Sequence, residues 1–383
     1  MSLFFAAVFL IYTAMHLYPL LRARAAFAVR GLPLAFLSLF MLIQIMAPII
    51  VNYTEKFGLD RTARVMAFAG YTWMWLIFLF VSSSLAVDLF RLLTTLSAWI
   101  FPWNAVDFTP SARISFLIPL IISLCITAYG FSEADNIRTE RLVIRSPKIP
   151  ASMGRVRIVQ ISDLHLGLIV REGRLKQVVE KIEREKPDII VSTGDLVDGQ
   201  ICRLNGIIDL LSSLKAPYGK YAILGNHEYY AGIDQALQST EKAGFRLLRG
   251  GTATGIIGIA GLDDPAGNDS GQYRDIPEGD LLSALPPDKF RLLLKHRPIV
   301  EESSPGLFDL QLSGHTHKGQ IFPFSIIIHY LYPLDAGFGQ LMKGSMLYVC
   351  RGTGTWGPPI RFLSPPEITV IDLVHGKSPP TIP

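Results

Sequence analysis

The stretch "RVRIVQISDLHLG", Arg155–Gly167, decides the fold of the C-terminal part of this 383-residue chain. Its first seven residues form a short, mostly apolar run, which reads as a buried β-strand. Immediately behind that run stand Asp163 and His165, next to a glycine that frees the backbone. In layered α/β folds, ligands collect in loops just past the C-terminal ends of strands.

The same arrangement recurs down the chain. "DIIVST" is a second buried strand, followed by "GDLVDG" with Asp195. "YAIL" precedes "GNHEYY", with Asn226 and His227. "FRLLLK" runs into His296, and "FDLQL" into "SGHTHKGQ", with His315 and His317. Between them, "REGRLKQVVEKIEREK" carries Leu175, Val178, Val179 and Ile182 at helical spacing until Pro187 stops it. "NGIIDLLSSL" and "DQALQSTEKAG" also read as helices, and "FRLLR", "IIGIAGL", "MLYVC" and "EITVIDL" as strands. "GIIGIAG" lacks the G-x-G opening and the long following helix of a nucleotide-binding turn, so it reads as a strand with turns. Strand and helix alternate early and strands dominate late, which gives the layered α/β class with helices outside sheets.

Five of the eight histidines therefore follow strands, beside aspartates, an asparagine and glycines. His16 lies in an apolar span, His329 in an apolar insert and His375 near the C-terminus. Imidazoles, carboxylates and an amide oxygen suit manganese, iron, zinc or cobalt. The set exceeds one tetrahedral site and suffices for two ions sharing a carboxylate, roughly 3.5–4 Å apart, a clamp suited to phosphoryl chemistry. Only neutral imidazole binds metal, so such a site fills at neutral pH and empties in acid. If His315 and His317 sit in extended backbone, both point the same way.

These motifs, "DLH … GDLVD … GNHE … H … GHTH", resemble the calcineurin-like metallophosphoesterase superfamily from about Arg155 to Leu373. "KPDIIVSTGDLVDG", "GKYAILGNHEYY", "LSGHTHKGQI" and "YVCRGTGTWGPPIRFLSPPEI" are similar to its bacterial membrane-associated YkuE- or YaeI-like subgroup. The resemblance implies a four-layer sandwich, two mixed β-sheets flanked by helices. It also implies two divalent metals, the first held by Asp163, His165 and His317, the second by Asn226, His296 and His315, with Asp195 bridging. His227 is then not a ligand but faces the scissile phosphate as general acid or charge stabiliser. Some members of the wider group cleave the pyrophosphate of lipid-linked sugar nucleotides. Glu228 stands where the family more often has aspartate, and Lys318 where the subgroup often has glycine. Arg297, Arg351 and Arg361 are phosphate or headgroup contacts on one reading and structural salt bridges on another.

Half of the chain is hydrophobic and 18% is charged, and the apolar excess lies in the first third. Four runs, about Leu3–Leu21, Leu32–Val51, Val65–Phe90 and Ile114–Phe131, are long enough to cross a hydrocarbon core of about 30 Å as a helical transmembrane bundle. Tyr18, Tyr53, Trp99 and Trp103 mark their ends. The first run lacks the basic lead-in of a cleaved signal and is followed by further spans. Leu92–Trp103, interrupted by Thr94, Thr95, Ser97 and Pro102, is expected to lie in the interface rather than form a fifth span. The loop Arg22–Arg30 carries three arginines and no acid, which favours the cytoplasm for that loop and the outer side for the C-terminal domain. The total of basic residues pulls the other way, with more in the outer segments than the inner ones. The expected divisions are a transmembrane domain over 1–131, a linker over 132–154 and a catalytic domain over 155–383. The resemblance to a bacterial subgroup implies an inner membrane.

The net charge of +4 is spread without a basic block, so no nucleic-acid partner is expected. Cys125, Cys202 and Cys350 form no CxxC and support no thiolate metal site. The insert "IFPFSIIIHYLYPLDAGFG", Ile321–Gly339, is apolar for a loop beside a polar site. Either it caps the domain's own core, or it forms a lip touching membrane lipid or an acyl chain through Phe322, Phe324, Ile326, Ile327 and Tyr330. The expected activity is that of a membrane-anchored phosphoesterase on a phosphodiester or pyrophosphate, with a lipid-linked substrate in view. The alternatives are an esterase for soluble or cell-wall phosphates, and a non-catalytic scaffold or sensor. The last is disfavoured because no ligand of the motif is missing. His16 and Asp88 are the chief ionisable groups in the spans, too few to suggest a transport pathway.

Overall fold

In hydrocarbon a backbone has no partner but itself, so long apolar runs fold as helices. The computed structural model describes residues 3–100, 109–199, 206–268, 270–377 and 380–381. Its first unit, residues 1–131 with 357–359, is built on α1 (Leu3–Phe27), α2 (Gly31–Lys56), α3 (Asp60–Ser97) and the body of α4 (Ala112–Asp135). All four helices are long and apolar enough to cross a membrane.

Two details depart from expectation. Arg22 and Arg24 belong to α1, not to a loop, because arginine is a good helix former and nothing before residue 28 stops the helix. Arg22 donates to both oxygens of Asp88 at 2.6 and 2.7 Å and to the Ser115 carbonyl at 2.9 Å, tying α1, α3 and α4 together. Tyr18 donates to the same carboxylate at 2.5 Å. His16 is likewise held, by the Tyr12 carbonyl at 2.8 Å and the Trp73 indole N–H at 2.9 Å. The spans' polar groups thus staple helices to one another.

The second departure is at the end of α3. That helix has 38 residues, about 57 Å at 1.5 Å per residue, and takes in Leu92–Ser97. Thr95 and Ser97 do not break it, since their hydroxyls bond back to the carbonyls of Arg91 and Thr94 at 2.8 and 2.9 Å. Ala98–Ile100 follow as a turn, and the last part of the expected interfacial stretch, Phe101–Trp103, lies outside the described residues.

The second unit comprises residues 132–356 and 360–383. Its elements in chain order are β1 (Arg138–Arg145), β2 (Arg155–Ile161), α5 (Glu172–Glu185), β3 (Ile189–Ser192), α6 (Asp209–Ser212), β4 (Lys220–Ala222), α7 (Asn226–Ala231), α8 (Ile233–Lys242) and β5 (Arg246–Leu247). There follow β6 (Gly251–Thr254), β7 (Gly258–Gly261), α9 (Glu278–Ser283), β8 (Arg291–Leu294), β9 (Leu310–Ser313), α10 (Phe324–Leu331), β10 (Gly337–Gln340), β11 (Met346–Val349) and β12 (Glu367–Val374).

Two six-stranded sheets result, ordered β1-β12-β2-β3-β4-β5 and β10-β11-β9-β8-β7-β6. In the first, β2, β3, β4 and β5 run parallel while β12 pairs antiparallel with β2. In the second, β7, β8, β9 and β11 are parallel and β6 and β10 antiparallel. Side chains alternate across each sheet. Ile158 and Leu292 face a core shared between the sheets, Val159 packs outward with Leu175, Val178 and Ile182 of α5, and Leu293 packs outward with Leu282 of α9. The order is therefore helix, sheet, sheet, helix. Residues 132–154, expected as a linker, hold β1, which pairs in parallel with β12 from Arg138↔Glu367 to Arg145↔Val374. Only Leu142 and Ile144 of β1 are buried, too short an apolar signal to read as a strand.

Candidate metal centre

Because β2, β3 and β4 are parallel, the loops behind them open on one edge of the first sheet, and those behind β8 and β9 on one edge of the second. Asp163, His165, Asp195, Asn226 and His227 come from the first set, and His296, His315 and His317 from the second. All eight side chains meet.

Five of them depend on unusual backbone. Asp163, His165, Asp195, His315 and His317 have φ of 51°, 51°, 53°, 71° and 48°. Aspartate and histidine tolerate this left-handed region better than most residues, and its concentration in one cluster marks a functional constraint. The condition of extended backbone for His315 and His317 is not met: both are left-handed, with Thr316 right-handed between them. Their rings consequently part, one to each of two donor clusters.

In the first cluster His317 Nε2 lies 3.4 Å from Asp163 Oδ1 and 3.1 Å from His165 Nε2. In the second, His315 Nδ1, His296 Nε2 and Asn226 Oδ1 lie mutually 3.0, 3.1 and 3.2 Å apart. Asp195 Oδ2 serves both, 3.8 Å from His165 Nε2 and 3.3 Å from His296 Nε2. Lone pairs do not converge like this for one another's sake. Donors about 2.0–2.2 Å from a common cation stand roughly 3.0–3.5 Å apart along octahedral or tetrahedral edges. The residues present therefore fit two divalent ions sharing one carboxylate oxygen.

The surroundings fix these donors. His296 Nδ1 faces the Thr193 carbonyl at 2.7 Å, which turns Nε2 toward Asn226, His315 and Asp195. The backbone N–H of His315 donates to Asp163 at 2.9 Å. A Cβ at Gly314 would strike Ser162 Oγ and Asp163 Oδ2, so no larger residue fits there. The buried carboxylate of Glu228 accepts four backbone N–H groups, those of Asp195, Leu196, Val197 and Gly225, at 3.0, 2.6, 3.3 and 2.7 Å. It thereby ties the β3 loop to the β4 loop.

Burial, followed by the neighbouring His227 and His296 respectively, lowers the pKa of His165 to about 4 and of His315 to about 3. Burial and then the Arg361 guanidinium lower His317 as well. These three rings are neutral at pH 7. Burial works against charge on Asp195, yet His296 and His227 hold its carboxyl well below the usual range. Burial also opposes a charged His227, but Asp195 and a 3.1 Å hydrogen bond from Nδ1 to Asp198 raise its pKa to about 9. Asp198, which holds the His227 ring, is the residue of this cluster that sequence reasoning misses, and its place three residues past Asp195 in "GDLVDG" is the signal that could have found it. The main-chain N–H of His227 donates to Asp195 Oδ1 at 2.8 Å, so the ring is oriented from two sides.

Aromatic rings form the rim: Tyr230 and Trp356 stand edge-on to His227 at 5.5 and 6.3 Å, and Tyr332 edge-on to His315 at 5.7 Å. All three arginines are paired within the unit. Arg297 is bidentate to Asp264 at 2.8 and 2.9 Å, and Arg351 pairs with Glu140 and Glu367. Arg361 is fully buried and donates to the carbonyls of Arg351, Gly354 and Ser364 and to His317 Nδ1 at 3.0 Å. A guanidinium so enclosed orients the His317 ring rather than meeting phosphate.

A family model described as calcineurin-like phosphoesterase matches residues 156–319. An uncharacterized metallophosphoesterase of Aquifex aeolicus is 39% identical over 261 residues, covering 67% of this chain and 99% of that protein. The uncharacterized metallophosphoesterase YkuE of Bacillus subtilis is 38% identical over 264 residues, 64% of this chain and 89% of that protein. A transmembrane protein with metallophosphoesterase domain from Danio rerio is 31% identical over 274 residues, 67% of this chain and 62% of that protein.

Proposed function

The chain belongs to the calcineurin-like metallophosphoesterases, and on that premise we propose that it hydrolyses a phosphodiester or pyrophosphate carried on a lipid. The observation that carries the reading is the meeting of two donor clusters at Asp195. In this reading Asp163, His165 and His317 hold one divalent cation, Asn226, His296 and His315 hold the other, and Asp195 bridges them. Such a pair supplies Lewis acidity at phosphoryl oxygens and water acidic enough to attack phosphorus near neutral pH. Manganese, iron, zinc and cobalt all suit the donors.

The chain itself handles the departing side. With Nδ1 committed to Asp198 and its main chain to Asp195, His227 presents Nε2 as a proton donor. That proton passes to the leaving oxygen as its bond to phosphorus breaks. His227→Gln is expected to slow esters of alkyl alcohols by about 10²–10⁴-fold. Esters of p-nitrophenol, whose anion leaves without a proton, should slow far less. Equal losses for the two leaving groups, measured as kcat/KM, would contradict proton donation.

The lipid part of the reading is supported by tethering: four membrane-length helices keep the catalytic unit where lipids are concentrated. We place that unit on the extracytoplasmic face of a bacterial inner membrane. The test assays the full chain with manganese against acylated and deacylated forms of one pyrophosphate, with and without chelator. Faster turnover of the acylated form, abolished by chelator, is expected. Equal rates would favour a soluble or cell-wall phosphate, and turnover undiminished by chelator would refute the metal reading.

A further inference from the structure

Among the described residues of the second unit, exposed large apolar side chains concentrate in one segment. Helix α10 has no buried residue. Tyr330 is 88% exposed, Ile326 and Leu331 61%, Ile327 52%, and Phe322 just ahead of the helix 42%. The insert is anchored on the core at both ends, where Ile321 is buried and Phe338 packs against the inter-sheet cluster, and only α10 between them stands clear of it. Its N-terminal side leaves the ligand loop at Gly319, whose Cα packs against Ser325 so closely that a Cβ would not fit. Thr316 Oγ1 donates to the Asp335 carbonyl at 2.6 Å, and the Phe322 N–H to the Phe362 carbonyl at 3.1 Å. Apolar surface is therefore held in a fixed place beside His315 and His317.

We infer that α10 is an interfacial helix that docks on the lipid bilayer, a second membrane contact beyond the four spans. The occupant follows from chemistry. Residues 318–343 contain a single acid, Asp335, against Lys318 and Lys343 at the two ends, which favours an anionic lipid surface. Protein interfaces need about one hydrogen bond per 100–200 Å², and the exposed face offers few donors or acceptors beyond Ser325, His329 and Tyr330. Hydrocarbon asks for none. Eight residues make a helix of about 12 Å, able to lie in the interface with its apolar side chains about 5–10 Å deep. The spans keep a bilayer permanently at hand. Tyr330 suits the headgroup level, with an apolar ring and a polar tip.

This contact is independent of the catalytic reading and can be measured without substrate. In the full chain, with Cys125→Ser and Cys202→Ser and the buried Cys350 retained, a nitroxide is attached at Tyr330→Cys or, as control, at exposed Ser213→Cys. In liposomes of phosphatidylcholine and phosphatidylglycerol, the label at 330 should be open to oxygen and lose access to a water-soluble nickel chelate, while that at 213 keeps it. Adding Ile326→Asp and Ile327→Asp should return nickel access at 330. Equal nickel access at 330 and 213 would overturn the proposal. So would protection at 330 accompanied by label–label broadening that disappears on dilution with lipid, since that assigns the face to a second copy of the chain.

Discussion

Asp195→Asn is expected to fold normally and to lose phosphodiesterase activity by more than about 100-fold, with weakened binding of both cations. The substitution keeps the side chain's shape, and Oδ1 can still accept the His227 N–H that it accepts now at 2.8 Å. What changes is Oδ2, which lies between His165 Nε2 at 3.8 Å and His296 Nε2 at 3.3 Å. An amide NH₂ there would point hydrogens at both proposed cation positions and remove the negative charge they would share. Because one oxygen serves two clusters, the loss should show in both at once, whereas changing His315 or His317 should weaken one cluster more than the other. Metal titration beside kcat/KM and thermal melting checks this. Full activity in the Asp195→Asn variant, or loss confined to one metal equivalent, would show that Asp195 does not bridge.

Glu228→Ala should cost stability rather than chemistry alone. Four backbone N–H groups from two loops point at this one buried carboxylate. Each donor left unsatisfied costs about 1–3 kcal/mol, reduced by whatever water enters the space. A loss of about 3–5 kcal/mol follows, comparable to breaking a buried charged network. It should lower the melting temperature by roughly 10 °C and take metal binding with it, since Asp195 and Asn226 sit on the loops released. Glu228→Asp, a carboxylate one methylene shorter, should fall between alanine and the native residue. A melting temperature unchanged in Glu228→Ala would remove the case for the clamp.

Much of this arrangement was legible in the sequence. The central strands announced themselves because they are buried on both faces, so "IIV" in β3 and "LLL" in β8 read as continuous apolar runs. The donors were legible because each follows such a run, and histidines are few enough for five of eight in that position to stand out. What stayed hidden depends on geometry that residue type does not carry. Nothing in "GHTH" announces that both histidines are left-handed, which is what sends their rings to different clusters. Glu228 could be marked as a departure from aspartate, but its four N–H partners come from residues up to 33 positions away. Arg361 resembled a phosphate contact until its complete enclosure by carbonyls made it the partner of His317. β1 was masked by its charges, because an edge strand buries only alternate residues.

The central claim is that two cations sit on either side of Asp195 Oδ2. Diffraction from crystals of the full chain grown with manganese, recorded at the manganese absorption edge, tests it most directly. Two anomalous peaks are expected, one among Asp163, His165 and His317 and the other among Asn226, His296 and His315, with the Asp195 carboxylate between them. A single peak, or peaks bound elsewhere while these donors stay hydrogen-bonded to one another, would contradict it.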